Sequence, residues 1–362
     1  MNYLARIAVL SETLKALESP ARLESDFVRG TAPTQAYSEF LTNREQGDWA
    51  ESTFIKNFNA TGKEFWAVKY GRSENFVAGE SGFEAFYESY QDELGTLGKR
   101  PDILIFDREE FHARYGDRID ISTIPLAQTS EFVSAAKLAI EVRSSAFLLG
   151  KYEAFSADVR ARNSEIVQAC LETLSDDFPE ELALNKEWEI YVESAQQAGV
   201  ENLAPPPRVI TKKSTKRLAE AGALTRKFKE AYKGLKKRDF LSVTPKAEDL
   251  SAVYRWLKNH NVPHYYCQMF FDRAILISFE RILQLLSDPT REEIDFFVET
   301  DEKNQGKTTF KINVKLGKEV MKDIQLPKHR SSMKELPKGR LLFYVCFDPS
   351  VGTVDPREIM NA

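Results

Sequence analysis

The chain has 362 residues, of which 42% are hydrophobic and 29% are charged, so its composition is that of a folded globular protein and excludes wholesale disorder. No apolar run approaches the ~20 residues of a membrane-spanning helix, and we expect no secretory signal at the N-terminus. Three widely spaced cysteines exclude a disulfide framework and a CxxC zinc site, which fits a reducing cytoplasm.

The first 154 residues predict helices and the first strands of an α/β core. Helical spacing marks a segment that opens near Asp48, and EFWAVKYG predicts a strand that ends at Gly71. SGFEAFYESYQDEL predicts another helix. The apolar runs DILIF and KLAIEV then predict two buried strands, the second centred on residues 138–142.

Helical patterns occupy most of residues 155–240, with breaks at 177–179 and at the three prolines of 205–207. The next segment predicts a helix with Thr244 as its N-cap and Pro245 at its first position. HYYCQMFFDRAILISF predicts one long strand or a hairpin, and TTFKINV and RLLFYVCF predict strands in the tail.

Strands interleaved with helices predict an α/β fold in which helices flank a mixed central β-sheet, with a helical insertion and a C-terminal β-containing extension. We predict that residues 1–154 hold the N-terminal helices and the first part of the core. The insertion is 155–240, the second part of the core is 241–300, and a basic extension is 301–362.

The net charge of −5 conceals a segregation of charge. Between Arg208 and Arg238, twelve Lys and Arg stand against two Glu, and lysines recur from Lys303 to Arg340. Because cations that neutralise phosphates supply most non-specific nucleic-acid affinity, both basic stretches are candidate contacts. The alternative is a solvated helix face and a lysine-studded edge strand. The candidate residues are Lys212, Lys213, Lys216, Arg217 and Lys307.

Two carboxylates mark the predicted strands. Asp102 stands at the mouth of the DILIF strand and Glu141 lies inside the next. Two buried carboxylates side by side are costly unless a cation lies between them. Mg²⁺ takes one or two carboxylates together with waters and phosphate oxygens, so the pair suits metal-assisted phosphodiester hydrolysis.

Glu51 is a third acidic candidate. In its predicted helix it shares the apolar stripe with Phe54, Ile55 and Phe58, and a glutamate that points inward needs a partner. Coordination of the metal, directly or through water, would supply one. A salt bridge to a basic residue such as Lys69 is the alternative.

These residues resemble a known family. Pro101-Asp102, followed by Glu141-Val142-Arg143, resembles the PD-(D/E)xK nuclease signature. The blocks GDWAE, GKRPDILIF, IEVRSSAFLLGKYEAF and SVTPKAEDLSAVYRWLKNHNVPHYYCQMFFD resemble type II restriction endonucleases of the AccI-like group, and they cover about a third of the chain.

Arg143 departs from the signature, which has lysine at this position. An arginine keeps its proton at any working pH, so Arg143 can act only as a fixed charge near the phosphate, or as the partner of a nearby carboxylate. Lys137 has the same strand parity as Glu141 and is an alternative source of the third catalytic group.

The resemblance implies a restriction-endonuclease-like core and Mg²⁺-dependent cleavage of double-stranded DNA at a short specific sequence. Asp102, Glu141 and Glu51 would hold the metal. It also implies a homodimer and a cognate DNA methyltransferase that acts on the same site. Two alternatives remain open, a repair or junction nuclease of the same fold and a non-catalytic DNA-binding regulator.

Overall fold

The computed structural model describes residues 2–72, 76–211, 214–237, 239–301 and 307–361. Its helices are α1 (Tyr3–Ala16), α2 (Ser38–Thr61), α3 (Phe83–Thr96), α4 (Arg108–Tyr115), α5 (Leu126–Val133), α6 (Leu149–Asp177), α7 (Pro179–Ala183), α8 (Lys186–Ala198), α9 (Lys216–Lys236), α10 (Ala247–His260), α11 (Phe279–Leu286) and α12 (Pro356–Met360). Its strands are β1 (Phe65–Lys69), β2 (Ile103–Asp107), β3 (Leu138–Ser144), β4 (Ser242–Val243), β5 (His264–Met269), β6 (Ala274–Ser278), β7 (Phe296–Asp301), β8 (Lys307–Asn313), β9 (Lys318–Lys322), β10 (His329–Glu335), β11 (Leu341–Phe347) and β12 (Thr353–Val354).

The chain divides into two units. The first unit consists of residues 1–149 and 241–362, and the second unit consists of residues 150–240. None of the helices that the structure describes is long and apolar enough to cross a bilayer.

A seven-stranded sheet forms the centre of the first unit, in the order β1-β2-β3-β5-β6-β9-β12. Strands β3 and β5 pair in parallel, and the other neighbours pair antiparallel. The predicted α/β fold with a mixed central sheet is therefore confirmed, whereas the restriction-endonuclease-like core stays a prediction. Strands β9 and β12 come from the tail and belong to this sheet, while β4-β8-β7 and β10-β11 form two smaller sheets.

Alternation along β3 sends its side chains to opposite faces of the sheet. Ile140 and Val142 pack with Ile103 and with Phe54 of α2 in one core, and Ala139 belongs to the core on the other face. Glu141 and Arg143 share the parity of Ala139, so their side chains leave β3 on the face opposite to Ile140 and Val142.

The aromatic segment was predicted as one long strand or a hairpin, and it forms a hairpin, because β5 and β6 pair antiparallel. The helix before the hairpin was predicted to have Thr244 as its N-cap and Pro245 at its first position, but α10 begins at Ala247 and its N-cap is Lys246, so the predicted N-cap is wrong. Residues before α10 stay extended because they pair with β8: the Phe310 N–H donates to the Pro245 carbonyl over 2.9 Å.

The second unit is helical. Helices α6 to α9 enclose their own core, in which Leu171, Trp188 and Phe228 are almost fully buried. Helix α6 ends at Asp177, beside the predicted break at 177–179. The prolines at 205–207 lie in the irregular segment before α9.

Candidate active site

Asp102 and Glu141 lie side by side on neighbouring strands. Ile103 of β2 is paired with Ile140 of β3, which brings the residue before β2 next to Glu141. The Asp102 carboxylate accepts a hydrogen bond of 2.6 Å from the Val142 backbone N–H. This contact fixes the side chain of Asp102 against β3.

The backbone at Asp102 is also fixed. Its carbonyl accepts hydrogen bonds from the N–H groups of Tyr70 and Gly71, over 2.8 and 3.1 Å. A Cβ on Gly71 would lie 2.9 Å from the Asp102 Cα, so only glycine allows this approach.

These two carboxylates open into a cavity of about 200 Å³. Its lining combines acidic and basic side chains with two aromatic rings. The residues are Glu51, Asp102, Glu141, Arg72, Lys99, Arg100, Arg143, Val142, Phe86 and Tyr90. Such a cavity suits an anionic ligand accompanied by a cation.

Glu51 has the salt bridge to Lys69 that was the alternative expectation, while its role at a metal stays a prediction. Lys69 Nζ lies 2.8 Å from Glu51 Oε2 and 3.0 Å from Asp48 Oδ1, so the salt bridge to Lys69 is present. Glu51 also lines the cavity with Asp102. Burial raises the pKa of Glu51 and the charge of Glu141 adds to the rise, although Lys69 opposes it.

Two cations contact Glu141, whose side chain is only 2% exposed. Lys99 Nζ donates to Oε1, and Arg143 Nη2 lies 3.2 Å from the same oxygen. The other oxygen, Oε2, is buried and has no hydrogen bond within the described part of the chain. One carboxylate oxygen of Glu141 is therefore left for another ligand.

Sequence reasoning missed Lys99 and Asp249. Asp249, in the first turn of α10, accepts a hydrogen bond from Arg143 Nη2 and lies 3.9 Å from Lys99 Nζ. Burial would raise the pKa of Asp249, but the charges of Lys99 and Arg143 lower it to about 2. Lys99 could have been noticed because it is three residues from Asp102, whereas Asp249 carries no signal of its own.

Gly98 places Lys99 against α10. It adopts φ +93°, and a Cβ there would lie 2.4 Å from the Ala252 carbonyl oxygen. The Lys99 N–H donates to the same carbonyl over 3.0 Å. The turn before β2 and the first half of α10 therefore meet through backbone at this point.

The structure does not bring the other predicted residues to the cavity. Lys137 is exposed, directly before β3, and is not among the lining residues. Lys307, at the start of β8, is exposed and pairs with Asp301 of β7, while β4 pairs with the other end of β8, at Ile312 and Asn313.

Of the basic residues predicted in the second unit, Lys216 has a side chain that is 91% exposed. Arg217 forms a salt bridge with Glu181, in which Arg217 Nε lies 2.8 Å from Glu181 Oε1. Lys212 and Lys213 lie outside the described residues.

The residues present fit a magnesium ion. Burial, together with the charges of Glu141 and Glu51, raises the pKa of Asp102 well above its usual value, although Lys99 opposes the rise, and a bound cation would relieve this repulsion between carboxylates. Across the described residues, no cluster of three or more His, Cys, Asp and Glu side chains is arranged to hold a metal. Mg²⁺ requires only one or two protein carboxylates and completes its shell with waters and phosphate oxygens, which Asp102 and Glu141 can satisfy.

In a comparison with known protein families, the model of the AccI restriction endonuclease family matches residues 1–361. Neither a curated protein nor a solved structure matches the chain.

Proposed function

Because the chain belongs to the AccI restriction endonuclease family, we propose that it cuts double-stranded DNA at a short specific sequence with the help of Mg²⁺. The observation that carries this proposal is the contact between Asp102 and the N–H that follows Glu141, which sets two carboxylates at the edge of a cation-lined cavity. The same placement supports membership of the PD-(D/E)xK superfamily.

In the proposed reaction a water oxygen forms a new bond to phosphorus and one P–O ester bond breaks. The water loses a proton to solvent, and the leaving oxygen takes one up. Mg²⁺, when bound, supplies Lewis-acid stabilisation of the charge on the phosphate. Asp102 and Glu141 hold the metal, Glu51 assists from α2, and Arg143 contributes a fixed positive charge beside them.

We further propose that the basic stretches contact the DNA backbone and that two copies of the chain read a twofold site, since a palindrome is most simply read by a symmetric dimer. A methyltransferase acting on the same sequence and a cytoplasmic location stay predictions.

The test is incubation of the purified protein with a long DNA duplex and Mg²⁺. We expect discrete fragments of reproducible length, and no cleavage in a parallel reaction with EDTA. Cleavage only at branched or damaged DNA would favour a repair or junction nuclease. Specific binding without any cleavage would favour a regulator.

A further inference from the structure

The four cations that line the cavity differ in the carboxylates that hold them. Arg100 and Arg72 both contact Glu93. Arg100 Nε lies 2.5 Å from Glu93 Oε1, and Arg72 Nη1 lies 3.4 Å from Glu93 Oε2. Arg143 is hydrogen-bonded to Asp249. Arg143 Nη2 also lies 3.2 Å from Glu141 Oε1, but neither Asp249 nor Glu93 is a proposed metal ligand, so each arginine keeps one carboxylate partner when a metal binds.

Lys99 is different. Its hydrogen-bonded carboxylate is Glu141, and Asp249 lies farther away, at 3.9 Å. A metal ion that binds the free Oε2 of Glu141 withdraws negative charge from the carboxylate that Lys99 contacts through Oε1, so metal and Lys99 compete for the charge of Glu141. Of the four lining cations, Lys99 is the one whose hydrogen-bonded carboxylate is a proposed metal ligand, so metal binding frees a donor of Lys99 at the point where the phosphate must lie.

The geometry of Lys99 allows the movement that this requires. Its backbone is fixed by the hydrogen bond to Ala252, while its side chain is 17% exposed and lines the cavity. A lysine carries its charge on a flexible four-carbon stem, whereas the planar guanidinium of Arg143 is tied on two sides.

We propose that Lys99 is the catalytic residue that contacts the scissile phosphate, released from Glu141 when the metal binds. This inference rests on the proposed nuclease function. Lys99 acts as a fixed charge on a non-bridging phosphate oxygen and transfers no proton. It thereby supplies, from the turn before β2, the lysine that position 143 lacks.

The first experiment uses Lys99→Met, which keeps most of the stem and removes the charge. We expect kcat to fall about 10²-fold to 10³-fold, in the range found for loss of one electrostatic donor, while DNA affinity in Ca²⁺ stays within about threefold. Lys15→Met is the matched control, because Lys15 is exposed in α1, and it should cleave at the wild-type rate.

A second experiment tests the amine itself. Propylammonium replaces the atoms that Lys99→Ala removes, and we expect it to restore at least a tenth of the wild-type rate in a saturable manner. 1-Propanol should restore nothing, and propylammonium should not rescue Asp102→Ala.

A third readout does not depend on cleavage. Because Lys99 competes with the metal for Glu141, Lys99→Met should bind Mn²⁺ as tightly as the wild type or more tightly in a calorimetric titration. Weaker Mn²⁺ binding together with failed amine rescue would show that Lys99 only fixes the position of the Glu141 side chain. Full activity of Lys99→Met would also overturn the proposal. If the wild-type protein itself does not cleave, the proposed function fails, and the titration still tests the competition.

Discussion

The Asp102 carboxylate accepts its hydrogen bond from the N–H of Val142, the residue that follows Glu141. One backbone donor of β3 thus positions a side chain from the preceding strand, while the Glu141 side chain leaves the same stretch toward the cavity. The separation of the two carboxylates is therefore set by strand register and does not depend on a flexible loop.

Removing either carboxylate should abolish cleavage. We expect Asp102→Ala and Glu141→Ala to show no cleavage with Mg²⁺, while their DNA affinity in Ca²⁺ stays within about tenfold, or ~1.4 kcal/mol. Gel-based cleavage and binding assays on the same duplex measure both quantities. Asp117→Ala is the control, because the Asp117 side chain is 88% exposed. Substantial cleavage by either variant would remove the metal-site assignment.

Glu51 lines the cavity and also forms a salt bridge with Lys69, so its role at the metal must be separated from its role in the salt bridge. If Glu51 assists at the metal, Glu51→Gln should lower the rate at least ~10²-fold, with little change in melting temperature, since the amide keeps the shape and loses the charge. Single-turnover cleavage and thermal unfolding are measured on the same preparation. A normal rate with a lowered melting temperature would leave Glu51 with the salt bridge alone.

Arg143 should act through its charge. Arg143→Lys retains a cation between Glu141 and Asp249, so we expect measurable cleavage, whereas Arg143→Ala should lose ~10²-fold or more. Steady-state kinetics on a short duplex containing the site separate kcat from KM. Full activity of Arg143→Ala, together with loss in Lys137→Ala, would assign the role to Lys137.

His264 should make the protein less stable in acid. It is fully buried, it packs against Trp256 and Phe279, and neither ring nitrogen has a hydrogen bond among the described residues. Burial, with a smaller effect of Lys99, lowers the pKa of His264 to about 3.

The sign of the effect follows from that pKa. Below pH 6.5 the unfolded chain binds a proton at this histidine that the folded chain does not. His264 should therefore lower the free energy of unfolding by about 2 kcal/mol as the pH falls from 8 to 5. Denaturant unfolding at several pH values should show this loss in the wild type and a smaller one in His264→Phe. The exposed His329 provides the control, and His329→Phe should keep the wild-type slope. An equal pH dependence in His264→Phe would contradict the prediction.

The basic stretch of the second unit should contribute to the salt dependence of DNA affinity. Replacing Lys212, Lys213 and Lys216 by Ala should reduce the slope of log K against log salt by about one to three units, since each neutralised phosphate contributes near −0.9. Specific and non-specific duplexes should weaken alike. The exposed lysines Lys15 and Lys63, replaced together, form the control. An unchanged slope would show that these lysines are simply solvated.

The residues of the candidate site that could be predicted are those that stand out from their immediate sequence neighbours. The apolar runs of β2 and β3 indicate buried strands, and a carboxylate at the mouth of one and inside the other is visible as an exception to the pattern. The structure places Asp102 directly before β2 and Glu141 in the adjacent strand β3. Glu51 was visible for the same reason, because it interrupts the apolar stripe of α2.

The remaining part of the site depends on contacts between distant segments. Asp249 reaches Arg143 although 106 positions separate them, and an acidic residue in the first turn of a helix is ordinarily favoured by the helix dipole alone. Lys137 had the correct strand parity but lies four residues, or about 13 Å, before Glu141 along the strand. Strand parity predicts on which face of the sheet a side chain lies, but it does not predict the position of that side chain along the strand.

The parallel pairing of β3 with β5 bears on the order in which the chain folds. Ser144 ends β3 and His264 begins β5, with 119 residues between them, and the second unit, residues 150–240, occupies most of that connection. If the second unit folds first, the loop to be closed shortens about fourfold, and the entropic cost of joining the two strands falls by about 1 kcal/mol. Early formation of the second unit should therefore speed the step that completes the central sheet, and core mutations such as Trp188→Ala should slow refolding of the strands that carry Glu141.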